Sequence, residues 1–269
     1  MECFVCKTCG VQYELSESPR SVCVICQDER QYIGYRGQEW TTLKEMQGAG
    51  YTNEFREQEP GLTGIGTHPS FAIGQRALLV QTPGGNVLWD CISYIDDESI
   101  QSVRELGGIA ALAASHPHFY GVLMEWSHAF GNTPIYIPEA DKQWMVRPDA
   151  AVVYWEGNVE LAPGVTLIQC GGHFEGSAVI HWAGGAEGRG ALLTGDTIQV
   201  VSDRRFVSFM RSYPNSIPMN ASTVQHIVAA AEPYSYDRIY GGWWNSVINK
   251  DAKGAVARSA ERYIRQIQG

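Results

Sequence analysis

The chain reads as an α/β protein of stacked sheets covered by helices, preceded by a small cysteine-rich unit. Three observations predict this. Two Cys-x-x-Cys pairs fall within the first 26 of 269 residues. From residue 61 onward, short apolar runs bounded by Gly, Pro and Asn alternate with segments of helical spacing. Residues able to bind a metal stand at the ends of several of those runs, where α/β folds build their sites.

Composition bounds the function. Hydrophobic residues make up 44% and charged residues 18%, a balance that supports a sizeable core. The formal net charge is −9, and no Lys/Arg run supplies an electrostatic footprint for nucleic acid or an anionic membrane. No apolar run approaches bilayer-spanning length. Residues 1–10 are polar and cysteine-rich rather than an apolar secretory stretch. The expectation is a cytoplasmic, reducing setting, in which paired cysteines serve as metal ligands rather than disulfides.

Residues 1–30 form the cysteine unit. Cys6 and Cys9 make one pair, Cys23 and Cys26 the other, with 13 residues between the pairs. Each pair turns two thiolates toward one point, and two pairs complete a tetrahedral four-sulfur shell suited to Zn²⁺. The spacing also resembles rubredoxin, which keeps iron as an alternative. A closed shell offers no open position, so its expected role is folding energy or docking. Cys3 is the odd thiol.

Residues 31–60 read as a packed linker with a short helix near 41–48. A hairpin follows, from strands 76–81 and 87–90 around Pro83-Gly84-Gly85-Asn86. Helical spacing covers 98–106, and 109–114 is a buried strand of small residues. Residues 122–130 look helical up to Gly131, 135–137 form a strand, and 140–146 a short helix. Strands at 165–169, 178–182 and 191–194 come next. A helix at 222–231, a strand at 238–240 and a long amphipathic helix at 251–268 complete the chain.

The candidate site lies at the strand ends. His116-x-His118 on an extended turn puts both imidazoles on one side. His173 follows the pliable Cys170-Gly171-Gly172, and Asp196 follows Thr194-Gly195. Three histidines with a carboxylate or water make a good Zn²⁺ site, with Fe as the other candidate. Asp90 reads as a turn residue or a supporting acceptor.

Over residues 61–269 these motifs resemble the metallo-β-lactamase superfamily. The resemblance is carried by Leu88-Trp89-Asp90, His116-Pro117-His118-Phe119-Tyr120-Gly121, Gly171-Gly172-His173 and Leu193-Thr194-Gly195-Asp196. The chain looks most like hydrolase branches of that superfamily with an N-terminal four-cysteine zinc-ribbon-like knuckle. The resemblance implies an αββα sandwich with metal bound between the sheet edges. It also implies one metal site rather than two. The family loop His-x-His-x-Asp-His here has Tyr120 and Gly121 in its last two places, and Tyr240-Gly241-Gly242-Trp243-Trp244 lacks the family's final histidine.

The leading expectation is a hydrolase with one metal-activated water, acting on a small ester, lactone, thioester or phosphodiester. Asp196 would orient the water. Tyr120 would donate to a developing oxyanion, or else would simply fill the vacated second site. A binding scaffold and a mononuclear iron oxygenase are the alternatives. Neither a nucleic-acid nor a membrane partner is expected.

Overall fold

The computed structural model describes residues 1–268. A three-stranded sheet opens the chain, formed by β1 (Glu2–Cys6), β2 (Gln12–Ser16) and β3 (Trp40–Thr41) in the order β2-β1-β3. The first large sheet contains β4 (Thr52–Glu59), β5 (Leu62–His68), β6 (Arg76–Val80), β7 (Val87–Trp89), β8 (Ala111–Ala113), β9 (Ile135–Pro138) and β10 (Val152–Trp155) in unbroken spatial succession. Its pairs are antiparallel from β4 to β7 and parallel from β7 to β10. The second large sheet has the order β11-β12-β13-β14-β19-β20. Its strands are β11 (Asn158–Ala162), β12 (Val165–Gln169), β13 (Ala178–Trp182), β14 (Ala191–Leu193), β19 (Arg238–Tyr240) and β20 (Val247–Ile248). Two ribbons, β15 (Gln199–Val200) with β16 (Val207–Ser208) and β17 (Met210–Ser212) with β18 (Ile217–Pro218), fill the stretch between β14 and β19.

Three buried clusters show how the layers stack. Along β6, Leu78 and Val80 face the second sheet, where they meet Val165, Leu167 and Ile180. Their neighbours Ala77 and Leu79 face the other way, toward Val103 and Trp126 of the covering helices. This is the period-two alternation of a strand buried on both faces. A third cluster packs Ile168, Val179 and Leu192 of the second sheet against Val224 and Ile227 of helix Ala221–Ala231 and Val256 of helix Ala252–Gln268. The result is the αββα sandwich. No helix of the described residues is long and apolar enough to cross a membrane.

The stretch 31–60 is not the linker that its sequence suggests. Trp40–Thr41 pairs with β1, and Thr52–Glu59 is the edge strand of the first sheet, paired antiparallel with β5 from Thr52↔His68 to Glu59↔Leu62. An edge strand with exposed flanks is free to be polar, so Thr-Asn-Glu-Phe-Arg-Glu-Gln-Glu shows no apolar alternation. The helix expected near 41–48 is present as Leu43–Gly48, with Thr42 and Glu45 in a capping box. Residues 140–146 form a 3₁₀ segment, Glu139–Trp144, rather than an α-helix.

Candidate metal centre

The four cysteines converge. Cys6 Sγ lies 3.7 Å from Cys26 Sγ, and Cys9 Sγ lies 3.7 Å from Cys23 Sγ. All four sulfurs lie within 4.8 Å of one another and are buried. A tetrahedron with metal–sulfur bonds of about 2.3 Å has an edge of about 3.8 Å, so the spacing fits one shared ion, whereas a disulfide needs about 2.05 Å. The sulfurs also collect donors. Tyr13 Oη–H reaches Cys23 Sγ at 3.2 Å, Gln38 Nε2–H reaches Cys6 Sγ at 3.2 Å, and the Thr8 amide reaches it at 3.4 Å. Such donors favour thiolate over thiol.

The second group is His116, His118, His173 and Asp196, again buried and with one donor atom each inside 4.8 Å. Each residue follows a strand of the sandwich: the two imidazoles of the His-x-His turn follow β8, His173 follows β12, and Asp196 follows β14. Gly195 permits this approach. It sits at φ +50°, and a Cβ there would lie 2.2 Å from Ser115 Oγ.

The imidazoles are oriented from behind. His173 Nδ1–H donates to the Met210 carbonyl at 3.1 Å, which leaves Nε2 as the lone-pair nitrogen. That Nε2 stands 3.3 Å from His118 Nδ1. His116 Nδ1 meets Ser115 Oγ at 2.8 Å, and its Nε2 points to Asp196 Oδ2 at 3.7 Å. Asp90, at φ +59°, accepts the Ser115 amide at 2.7 Å, so it supports the His-x-His turn from below.

Among the described residues, the Asp196 carboxyl has no Lys or Arg partner. Burial pushes the Asp196 carboxyl up to about 8, with buried Asp90 adding to it, and holds His116 and His118 well below the ordinary imidazole value. His116 Nε2, His118 Nε2 and Asp196 Oδ1 are buried without a hydrogen-bond partner. Buried polar atoms are seldom left unpaired, and buried carboxylates need a counter-charge. The 3.3 Å nitrogen separation matches the edge of a tetrahedron with bonds of about 2.0–2.1 Å. The donor set fits a metal ion.

Tyr120 is placed elsewhere. Its ring belongs to the core between the first sheet and its covering helices, and it borders a small cavity with Val11, Gln12 and Arg147. Its hydroxyl is buried and unpartnered, and its pKa is raised by burial and then by Asp141. It does not line the cavity that reaches His118 and Asp196. Gly121 explains why no ligand follows it. At φ +46°, a Cβ would lie 2.3 Å from the Ile92 carbonyl oxygen, so no side chain fits there. His128 pairs with Asp149 at 2.8 Å on the far end of helix Leu123–Ala129.

Sequence reasoning missed the residues that the cysteine unit brings to this centre. The Gln12 amide donates to the Gly121 carbonyl at 3.0 Å. Arg30 pairs with Glu175 at 2.8 Å and lies 4.2 Å over the ring of Phe174, which packs on His116, His118 and His173. Nothing in the sequence marks Arg30 except its position just beyond Cys26.

The fold and the His/Asp cluster together define a protein of the metallo-β-lactamase type. The Metallo-beta-lactamase superfamily model matches residues 72–243, and the chain belongs to that family. Among curated proteins it is similar to "Uncharacterized protein YmaE" of Bacillus subtilis (strain 168), 48% identical over 269 residues, 99% of this chain and 97% of the relative. Among solved structures it resembles VMB-1 at pH 5.5, with a TM-score of 0.60 and 12% identity over 81% of this chain and 98% of that one. It also resembles the metallo-beta-lactamase FIM-1 from Pseudomonas aeruginosa in the mono-zinc form, with a TM-score of 0.56 and 15% identity over 78% of this chain and 95% of that one.

Proposed function

We propose that the protein is a metal-dependent hydrolase working from a single Zn²⁺ held by His116, His118, His173 and Asp196, with a second, structural Zn²⁺ on the four cysteines. The observation that carries this reading is the convergence of four buried donors, with His116 Nε2 left without a hydrogen-bond partner and His118 Nδ1 and His173 Nε2 only 3.3 Å apart. A divalent ion bound there supplies Lewis acidity and lowers the pKa of a coordinated water. Ser115 and the Met210 carbonyl fix the tautomers and ring planes of His116 and His173. Asp196 turns Oδ2 toward His116, and its unpartnered Oδ1 is available to accept a hydrogen bond from the attacking water and orient it. Tyr213 Oη–H donates to the Asp196 carbonyl at 3.1 Å and holds that turn in place. The substrate is a small ester, lactone, thioester or phosphodiester.

Metal analysis tests the reading. Pure protein should hold about two ions per chain, and His116→Ala about one, with the circular dichroism spectrum unchanged. Turnover on a panel of esters and phosphodiesters should vanish in that variant. Activity that survives His116→Ala unchanged would end the hydrolase assignment.

A further inference from the structure

A cavity of about 330 Å³ opens onto His118 and Asp196. One wall comes from the catalytic domain: Gln199, Tyr213 and Trp243. Another part of the lining comes from the cysteine unit extended to Tyr32. Thr8 sits at the tip of the first Cys-x-x-Cys turn, and Gln31 and Tyr32 follow the second. This wall is fastened to the site from several sides. Asn215 Nδ2 donates to the carbonyls of Glu29 and Gln31, both at 2.9 Å, and Ser212 Oγ donates to the Arg30 carbonyl at 3.0 Å. Gly10 packs so closely on Ser93 that a Cβ would fall 2.0 Å from its Oγ.

Two features of the cavity select its ligand. Among the described residues that line it, Asp196 is the only carboxylate and there is no lysine or arginine. An anionic phosphodiester would find no protein cation to pair with, and Gly121, where no side chain fits, supplies no ligand for a second ion to clamp its leaving oxygen. Gln31 is 95% buried, and its side-chain amide makes no hydrogen bond within the protein. An unpaired amide on a cavity wall is a hydrogen-bonding position for a ligand. Tyr32 and Trp243 add aromatic surface.

We propose that the cysteine unit is the substrate-contacting wall of the histidine site, and that this site takes an uncharged acyl compound, an ester, lactone or thioester, whose polar edge pairs with Gln31 and whose apolar body lies against Tyr32. The inference rests on the hydrolase reading for turnover, but not for binding. The carbonyl carbon accepts a water oxygen, the acyl–oxygen or acyl–sulfur bond breaks, and the water's protons end on the leaving group and in solvent.

The test uses full-length metal-loaded protein, Gln31→Leu and Tyr32→Ala, with dihydrocoumarin and p-nitrophenyl acetate as acyl probes and bis(p-nitrophenyl) phosphate as the diester. Rates are taken as acceleration over the uncatalysed reaction. Acyl probes should be favoured by about a hundredfold or more, because charge pairing is absent for the diester. Each variant should raise KM for the acyl probes by about tenfold, with kcat within about twofold and metal content unchanged. Equal or greater acceleration of the diester, or unchanged KM in both variants, would overturn the proposal. Saturation-transfer NMR separates it from the hydrolase reading. Dihydrocoumarin that contacts the wild-type protein, loses contact in Tyr32→Ala and is not hydrolysed upholds the cavity and removes the activity. No contact with wild-type protein removes the cavity proposal.

Discussion

At the scale of single residues, the positions next to the His/Asp cluster explain as much as the cluster itself. Gly121 is held at φ +46° against the Ile92 carbonyl, so Gly121→Ala forces both backbone strain and a steric shift. We expect it to cost about 2–4 kcal/mol in chemical unfolding and to displace the His-x-His turn, with loss of metal from the histidine site. Tyr120→Phe removes a buried hydroxyl that has no partner. Stability should change by about 1 kcal/mol or less, and activity should stay close to wild type; a large loss of kcat with metal retained would restore Tyr120 as an oxyanion donor. Asp141 gives a pH signature. Its carboxyl is buried, accepts the Gly176 amide at 2.9 Å, and is pushed up to about 7 by burial. The folded chain therefore holds this proton more tightly than the unfolded one. Its stability is full below about pH 4 and declines as pH rises to 7, because ionising the buried group is unfavourable. Asp141→Asn should raise stability at pH 8 by about 1–3 kcal/mol, and the gain should shrink toward pH 4. Thermal melts at the two pH values check this.

At the scale of elements, the ligand-bearing ends of β8, β12 and β14 were legible because short apolar runs stop at Gly, Pro or His. The edge of the first sheet was not. β4 is polar along an exposed border, and β5 carries Gly64 and Gly66, each of which brings the Trp244 ring within 2.6 Å of where a Cβ would stand. Glycines that admit a neighbouring ring look like loop residues in a sequence. The segment beyond Cys26 was equally silent, although it is a main support of the site. Arg30 joins Glu175 and covers Phe174, so its guanidinium braces the loop that aims His173. Arg30→Met should weaken metal binding at the histidine site by about tenfold or more, while the cysteine-bound ion remains. Competition with a chelator of known affinity, with cobalt substituted for the natural ion, measures the two sites by their separate absorption bands. Equal affinity in the variant would reduce Arg30 to a packing residue.

At the scale of the whole molecule, the two metal groups looked like separate devices in the sequence: a structural knuckle, a linker and a catalytic domain. Motif spacing reveals which residues share an ion, but not which surfaces dock, because docking depends on side chains far apart in sequence. The structure joins them through Gln12 to Gly121, Gly10 to Ser93, Glu29 and Arg30 to Arg211 and Glu175, and Asn215 to Glu29 and Gln31. Val5, Val11 and Ile25 of the cysteine unit share one buried cluster with Leu112 and Val122 of the larger domain. A unit of about thirty residues has too little core to fold alone without its ion, and here part of its apolar surface is covered by the larger domain. The cysteine unit and the sandwich should therefore unfold together. In guanidinium chloride, the cobalt–thiolate absorbance of the cysteine site and the tryptophan fluorescence of the sandwich should trace a single coincident transition. Loss of the thiolate band at clearly lower denaturant, with tryptophan fluorescence and the histidine-site spectrum unchanged, would mean that the knuckle is an independent module. In that case it could not be a fixed wall of the cavity.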